Sequence, residues 1–526
     1  MMFCSEACKE ANMSKLDFIK KLYNGKNCYS DHMNKDELGF LHISSGVEPL
    51  VSDMLDKHKL VFLTGNPGDG KTFIIKAIEP CIIRNNVFVK TDFNEVTNYA
   101  DAARNIVDLY VEKKPAVFAI NEYPFLRLCK EIKRINPDIY NEIMRAKKSA
   151  ITYELSEPIR HIAVVDLNER NLLTKDNQLL DTLLTKMTDL LSSEPIHSQA
   201  LKYNLRALQS TEIKRQIVSL LELASSDCEH FAVRDVLGAI SFMLTACTMD
   251  EYEGQYYYSA IFEGSNELLR AIQKFDPIYL SVPSLDESLW NGVINEGWLM
   301  GAPRKWPNDS SFEDDVDAAV ECFKEIKRKY YFENLDGQGL LKLQPEEIRK
   351  SLEIFTAFDS QKKKIKERLV RSINKLFLPS SDDKKQLHIW TTHRYDLSQE
   401  AAVAISSKSV DSSELEIKMP RPADWLQGME YMPNHIILKP KAGDVPVLTL
   451  DADFLRTLDA VENGYPVGLL APQYEQAAAM FLQQLDNYGY AEENDDGEII
   501  LASRINSSKK TVLIQDGKYD FEEGEE

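Results

Sequence analysis

The chain has 526 residues, 44% of them hydrophobic, with 62 Lys and Arg against 83 Asp and Glu, for a net charge of −21. That length accommodates three or four domains with buried cores, and the acidic balance argues against non-specific gripping of nucleic acid by the whole surface. No apolar run reaches the ~18 residues of a membrane span, and the N-terminal MMFCSEACKEANMSKLDF lacks the long apolar stretch of a secretory leader.

Residues 1–40 read as an N-terminal extension, and 41–195 as a first core domain. Within the core, VFLT (61–64) is an apolar strand pattern that breaks into Gly65-Asn66-Pro67-Gly68-Asp69-Gly70-Lys71-Thr72, with a helical pattern from there. The spacing Gly-x-x-x-x-Gly-Lys-Thr is the phosphate-binding P-loop pattern. Its glycines let consecutive N–H groups turn toward one anion. Lys71 would reach the β/γ-phosphates and the Thr72 hydroxyl would ligate Mg²⁺. Average residue frequencies give on the order of 0.02 chance matches to this spacing in such a chain. The cofactor-binding set is therefore residues Gly65 to Thr72 with Phe73, and the expected cofactors are ATP and Mg²⁺. Pro67 should stiffen the loop. Asp69 either orients Lys71, contacts a neighbouring loop or faces solvent.

Further along, Val87–Lys90 is a short strand candidate and 98–114 has helical spacing. AVFAINE (116–122) is an apolar strand ending in Asn121-Glu122, at the strand end where α/β sheets bind ligands. Glu122 is the candidate to polarise an attacking water. Asn121 stands where a carboxylate would hold a Mg²⁺-bound water, offering a neutral amide oxygen instead. IAVVD (162–166) is the next apolar strand, followed by Leu167-Asn168. Asn168 is the candidate γ-phosphate sensor, and Asp166 a rival Mg²⁺ carboxylate. Arg234, in HFAVRDVLGAI (230–240), is the candidate to neutralise transition-state charge, with Arg170, Arg145 and Arg206 as alternatives. Strands alternating with helices predict a parallel α/β sheet.

Residues 196–275 carry apolar positions at i, i+3 and i+4 and read as a helical lid. Residues 276–385 read as a Pro- and Trp-rich connector and a helical domain, 386–515 as a mixed α+β domain, and 516–526 as an acidic tail. Two basic clusters stand out. SQKKKIKERLVRSINK (360–375) places Lys362, Lys363, Lys364, Lys366, Arg368 and Arg371 opposite an apolar helix face, a candidate DNA contact. KEIKRKYY (324–331) adds basic residues beside aromatics. His388 and His393 are read as structural. The eight cysteines are scattered without a CxxC pair, which suits reduced thiols in a cytoplasmic setting better than a zinc ribbon.

Together LTGNPGDGKT (63–72), INE (120–122), VVDLNERNLL (164–173) and HFAVRDVLGAISF (230–242) resemble bacterial AAA+-related ATPases, the DptF-type component of phosphorothioation-dependent DNA restriction among them. LDESLWNG (285–292), KRKYYFE (327–333) and LTLDADFL (448–455) are similar in layout. The resemblance implies an AAA+-like P-loop core with a helical lid. It also implies anti-phage defence beside partner subunits, with ATP hydrolysis coupled to DNA translocation, cleavage or complex switching, and Lys71, Thr72, Glu122, Asn168 and Arg234 as site residues; a homo-oligomer is a further expectation. The alternative expectation is a slow nucleotide-dependent signalling switch or scaffold without DNA contact.

Overall fold

The computed structural model describes residues 14–23, 33, 35–91, 93, 96–154, 158–173, 179–196, 198–224, 230–246, 255–337, 346–393, 403–494, 497–503, 508–515 and 518–523. The chain divides into two compact units. The first holds residues 1–225, 229–344 and 422–432; the second holds 226–228, 345–421 and 433–526.

The first unit is built on four parallel strands: β1 (Leu60–Thr64), β2 (Phe88–Lys90), β3 (Ala116–Ala119) and β4 (Ile162–Asp166), in the order β2-β3-β1-β4. LVFLT, AVFA and IAVVD are apolar without alternation because both faces are covered. Val61, Leu63, Val117, Ala119, Ala163 and Val165 face one apolar layer with helices Val47–Asp56 and Lys71–Ala77. Leu60, Phe62, Ala116, Phe118, Ile162 and Val164 face the other, with helices Tyr99–Val111, Glu122–Ile135 and Pro137–Lys148. There Phe62 stacks on Phe118 at 4.9 Å and meets Phe125 edge-on at 5.8 Å. Asn98 and Asn136 start two of these helices by accepting backbone N–H bonds of the first turn, the usual N-cap device.

A second core in the same unit is wholly helical. Helix Lys15–Tyr23, the helices from Leu179 to Gln273, and Val316–Glu333 share one apolar cluster. Helix Lys15–Tyr23, within the N-terminal extension, thus belongs to a packed core through Phe18, Ile19 and Leu22.

The second unit pairs antiparallel sheets with helices. One sheet joins Leu415–Lys418, His435–Pro440 and Leu448–Asp451; another has five strands between Thr391 and Glu523. Helices Glu346–Lys375, Ala452–Glu462 and Pro472–Asn487 share its apolar cluster.

Mixed α/β architecture with a parallel sheet is as the sequence led us to expect. The boundaries differ in two places. Residues 276–385 are not one domain: Ile326, Tyr330 and Tyr331 bury in the first unit's helical core, whereas Ile365, Leu369 and Ile373 bury in the second unit's. Residues 422–432 return to the first unit. The stretch LTLDADFL is a strand to Asp451 and a helix from Ala452, because Asp451 caps the Phe454 N–H at 2.8 Å.

Candidate functional site

The parallel register places Thr64 opposite Asp166 and Leu63 opposite Ala119. The three loops that follow, starting at Gly65, Ile120 and Leu167, therefore leave the same edge of the sheet, the carboxyl edge where such sheets hold ligands. β3 and β4 flank β1 on opposite sides, so Asn121 and Asn168 approach the glycine loop from two directions.

The loop itself is strongly turned. Gly65, Gly68 and Gly70 have φ of 141°, 103° and 84°, values that side-chain-bearing residues rarely adopt. Lys71 opens the next helix, and the N–H groups of its first turn have no acceptor within the helix. The Lys71 ammonium donates to the Gly65 carbonyl at 3.0 Å and the Asn66 carbonyl at 2.6 Å. Burial lowers its pKa to about 8, against the opposing pull of Asp69 and Asp166.

Asp69 is buried and does not orient Lys71 by direct contact. Its Oδ2 accepts from the Asn66 N–H at 2.5 Å, and its Oδ1 lies 2.8 Å from His230 Nε2. The other ring nitrogen of His230 lies 3.2 Å from the Arg170 carbonyl. Burial disfavours the charged imidazole, but the hydrogen bond and charge of Asp69 outweigh it, and the His230 pKa is raised. Asn168 also serves the loop: its Oδ1 accepts from the Asn66 N–H at 3.1 Å. Arg234 donates to the Pro67 carbonyl at 2.6 Å through its side chain, and to the Gly68 carbonyl at 3.3 Å through its N–H.

A cavity of about 230 Å³ opens above this loop. Pro67, Gly68, Gly70, Lys71, Thr72 and Phe73 form its floor, with Asn121 and Arg234 beside them. Leu41, Ile43, Leu172, Leu179, Leu183 and Leu237 form an apolar wall. The charged residues lining it are Lys71, Arg170, Arg234 and Glu48. With Arg170 already held by Glu430, Lys71 and Arg234 remain against Glu48, and this excess of positive charge, in a chain of net charge −21, favours an anionic ligand with an apolar portion. Ser45 Oγ, also lining the cavity, is buried without a hydrogen-bond partner in the protein. Arg145 and Arg206 are not among the lining residues.

Glu122 lies beside this cavity rather than in its wall. Its Oε1 holds Lys147 Nζ at 2.5 Å, and Lys147 reaches Asp166 Oδ2 at 3.5 Å. Burial would lower Lys147, yet the two carboxylates raise its pKa. Glu122 Oε2 is buried with no partner in the protein. Among the described residues, no group of three or more His, Cys, Asp or Glu could hold a metal. A cation here would take the Thr72 hydroxyl and the Asn121 amide oxygen, a neutral pair that lines the same cavity. That pair fits Mg²⁺ carried by an anionic ligand, since hard oxygen donors plus phosphates are its usual company.

The basic clusters need correction. Lys327, Arg328 and Lys329 are not a surface for nucleic acid but are 1–7% exposed. Lys327 pairs with Asp286 at 2.6 Å, Arg328 with Asp276 at 2.7 Å and Glu263 at 2.6 Å, and Lys329 with Glu333. In the 360–375 helix, Arg368 pairs with Asp459, and Arg371 with Glu462 at 2.5 Å. Lys366 donates to the Ser412 and Leu415 carbonyls. Lys362, Lys363 and Lys364 are exposed. His388 lies 3.2 Å from Asp383 and edge-on to Trp390, a structural setting. The side chain of His393 lies outside the described residues.

His230, Lys147 and Glu430 were not picked out from sequence. His230 is four residues before Arg234, inside a segment already singled out, and a histidine ahead of a site helix was the available signal. Lys147 and Glu430 carried none. No known family model matches the chain, and neither a curated protein nor a solved structure matches it significantly. No helix among the described residues is long and apolar enough to cross a membrane.

Proposed function

We propose that the first unit is a P-loop NTPase core that binds Mg²⁺·ATP in the cavity above residues 65–72, with the helices of 196–275 as its lid. The carrying observation is the loop with three left-handed glycines whose lysine points back into it, flooring a cationic cavity with an apolar wall. Phosphates would replace the loop carbonyls as partners of Lys71, and the base would lie against the leucine wall. Bound Mg²⁺ would neutralise phosphate charge beside the Thr72 hydroxyl. Lys71 and Arg234 would stabilise charge as the terminal phosphate leaves, and Glu122, once released from Lys147, would orient water through its unpartnered Oε2.

The sequence resemblance supports a wider proposal: an ATP-hydrolysing subunit of a multi-protein anti-phage DNA-restriction system, coupling nucleotide state to assembly or DNA processing. Steady-state ATP hydrolysis with and without DNA, against Lys71→Ala and Glu122→Gln, tests it. DNA-stimulated turnover lost in both variants supports the ATPase reading; DNA-independent phosphate release that survives in Lys71→Ala sinks it.

A second reading is a slow switch. The observation favouring it is the Lys147 grip on Glu122, together with the uncharged Asn121. Releasing Glu122 would then limit the rate. Nucleotide-dependent assembly with little turnover, and faster turnover in Lys147→Met, distinguish it from the first.

A further inference from the structure

Residues 422–432 belong to the first unit, yet the chain on both sides belongs to the second. Leu426 and Met429 are buried in the apolar layer that also holds Val61, Leu63 and Ile74, the elements leading into and out of the glycine loop. The segment is pinned by backbone as well. The Ala423 N–H donates to the Ala150 carbonyl at 2.9 Å, and the Asn171 N–H donates to the Glu430 carbonyl at 2.8 Å. Position 46 must be glycine, since a Cβ there would lie 1.5 Å from the Gly428 oxygen.

The side chain of Glu430 connects this segment to the cavity. Its Oε2 accepts from Arg170 Nε at 2.6 Å, and its Oε1 accepts from the Gly46 N–H at 3.3 Å. Arg170 is 7% exposed and lines the cavity. One buried guanidinium therefore has a carboxylate on one side and the ligand space on the other. A phosphate-bearing ligand brings a second anion to the same cation. The two anions repel each other in a poorly solvated site, where charges are weakly screened.

We infer that the Arg170–Glu430 pair couples occupancy of the cavity to residues 422–432, and along the chain to the strands that follow and precede them. This inference rests on the nucleotide reading above. Those strands, Leu415–Lys418 and His435–Pro440, are paired antiparallel, Lys418 opposite Ile437, so few residues separate Glu430 from a fixed ladder. Coupling of this kind is reciprocal. If the nucleotide loosens Glu430, then removing the Glu430 charge tightens the nucleotide. A merely structural Glu430 has the opposite sign, because losing it would disorder Arg170 and weaken binding.

The test uses the full chain, with Mg²⁺·ADP as the probe. Hydrogen–deuterium exchange is followed in residues 415–440, and affinity is measured calorimetrically for the unaltered protein and Glu430→Gln. The expected result is a nucleotide-dependent change in exchange at 433–440 that Glu430→Gln abolishes, with ADP bound about fivefold or more tightly by the variant. Unchanged exchange in the unaltered protein on saturation with ADP would overturn the coupling without reference to any variant. Equal or weaker affinity in folded Glu430→Gln would overturn it as well. Absence of any ADP binding is a separate result, and it removes the nucleotide reading itself.

Discussion

Replacing His230 by alanine should cost stability in a pH-dependent way. Both ring nitrogens face acceptors, the Asp69 carboxylate at 2.8 Å and the Arg170 carbonyl at 3.2 Å. Only the doubly protonated imidazolium can donate to both. Burial opposes that form, but Asp69 outweighs it and the folded-state pKa is raised above the unperturbed value of about 6.5. A raised pKa means the ionic contribution is fully present below about pH 6.5 and is lost as pH rises through the folded value. Asp69 is 3% exposed, so deleting its charged partner resembles breaking a buried pair, about 3–5 kcal/mol. Asp69 keeps the Asn66 N–H, and the His230 side chain is 19% exposed, which argues for about 3 kcal/mol, the low end. Once deprotonated, the neutral ring supplies ordinary hydrogen bonding, worth roughly 1 kcal/mol. Urea unfolding followed by tryptophan fluorescence suits the question, because Trp290, Trp298, Trp306 and Trp425 lie in the first unit and Trp390 alone in the second. His230→Ala should lose more stability at about pH 5.5 than at about pH 8.5, because the raised folded-state pKa makes the ionic contribution fade as pH rises. An equal loss at both, or a larger one at the higher pH, would refute the assignment of a charged His230–Asp69 pair.

Lys71 is charged below about 8, so ATP affinity measured by titration should fall as pH rises through that value; affinity that ignores pH would mean Lys71 does not meet the phosphates. Arg328→Ala strands Asp276, itself 4% exposed, and should cost about 3–5 kcal/mol in the same urea experiment; a loss under about 1 kcal/mol would show the pair to be dispensable. Reversing Lys362, Lys363 and Lys364 to Glu should change stability by less than about 0.5 kcal/mol per site while removing any salt-sensitive DNA binding. Unchanged DNA binding, read by filter retention at low and high salt, would discard that surface.

The parts of this protein legible in its sequence are those set by local spacing. The strand–loop–helix around residues 60–77 needs glycine where φ is positive, and Gly65, Gly68 and Gly70 supply it. The strands around 116 and 162 are apolar enough to announce burial on both faces. Partners distant in sequence were not legible. The run KEIKRKYY looks basic in any window, and apart from Glu333 beside Lys329 its neutralising carboxylates, Glu263, Asp276 and Asp286, lie about 40 to 65 positions away. The same holds for Arg368 and Arg371, whose carboxylates lie on the Ala452–Glu462 helix. Residues 422–432 read as part of the C-terminal domain because chain order suggests so, while the burial of Leu426 and the reach of Glu430 to Arg170 assign them to the first unit. For Asp69 the sequence left three roles open, and the structure supports the contact with a neighbouring loop, through a histidine 161 positions on that no local pattern could name.

Calorimetric titration of the full chain with Mg²⁺·ATP, beside Lys71→Ala, is the most direct test of the cavity above the glycine loop. Saturable binding by the unaltered protein, weakened at least about tenfold in Lys71→Ala, is the predicted result, because a hydrogen bond to a charged group is worth about 1.5–3 kcal/mol. No binding by the unaltered protein, or equal binding by the variant, would contradict a nucleotide site at residues 65–72.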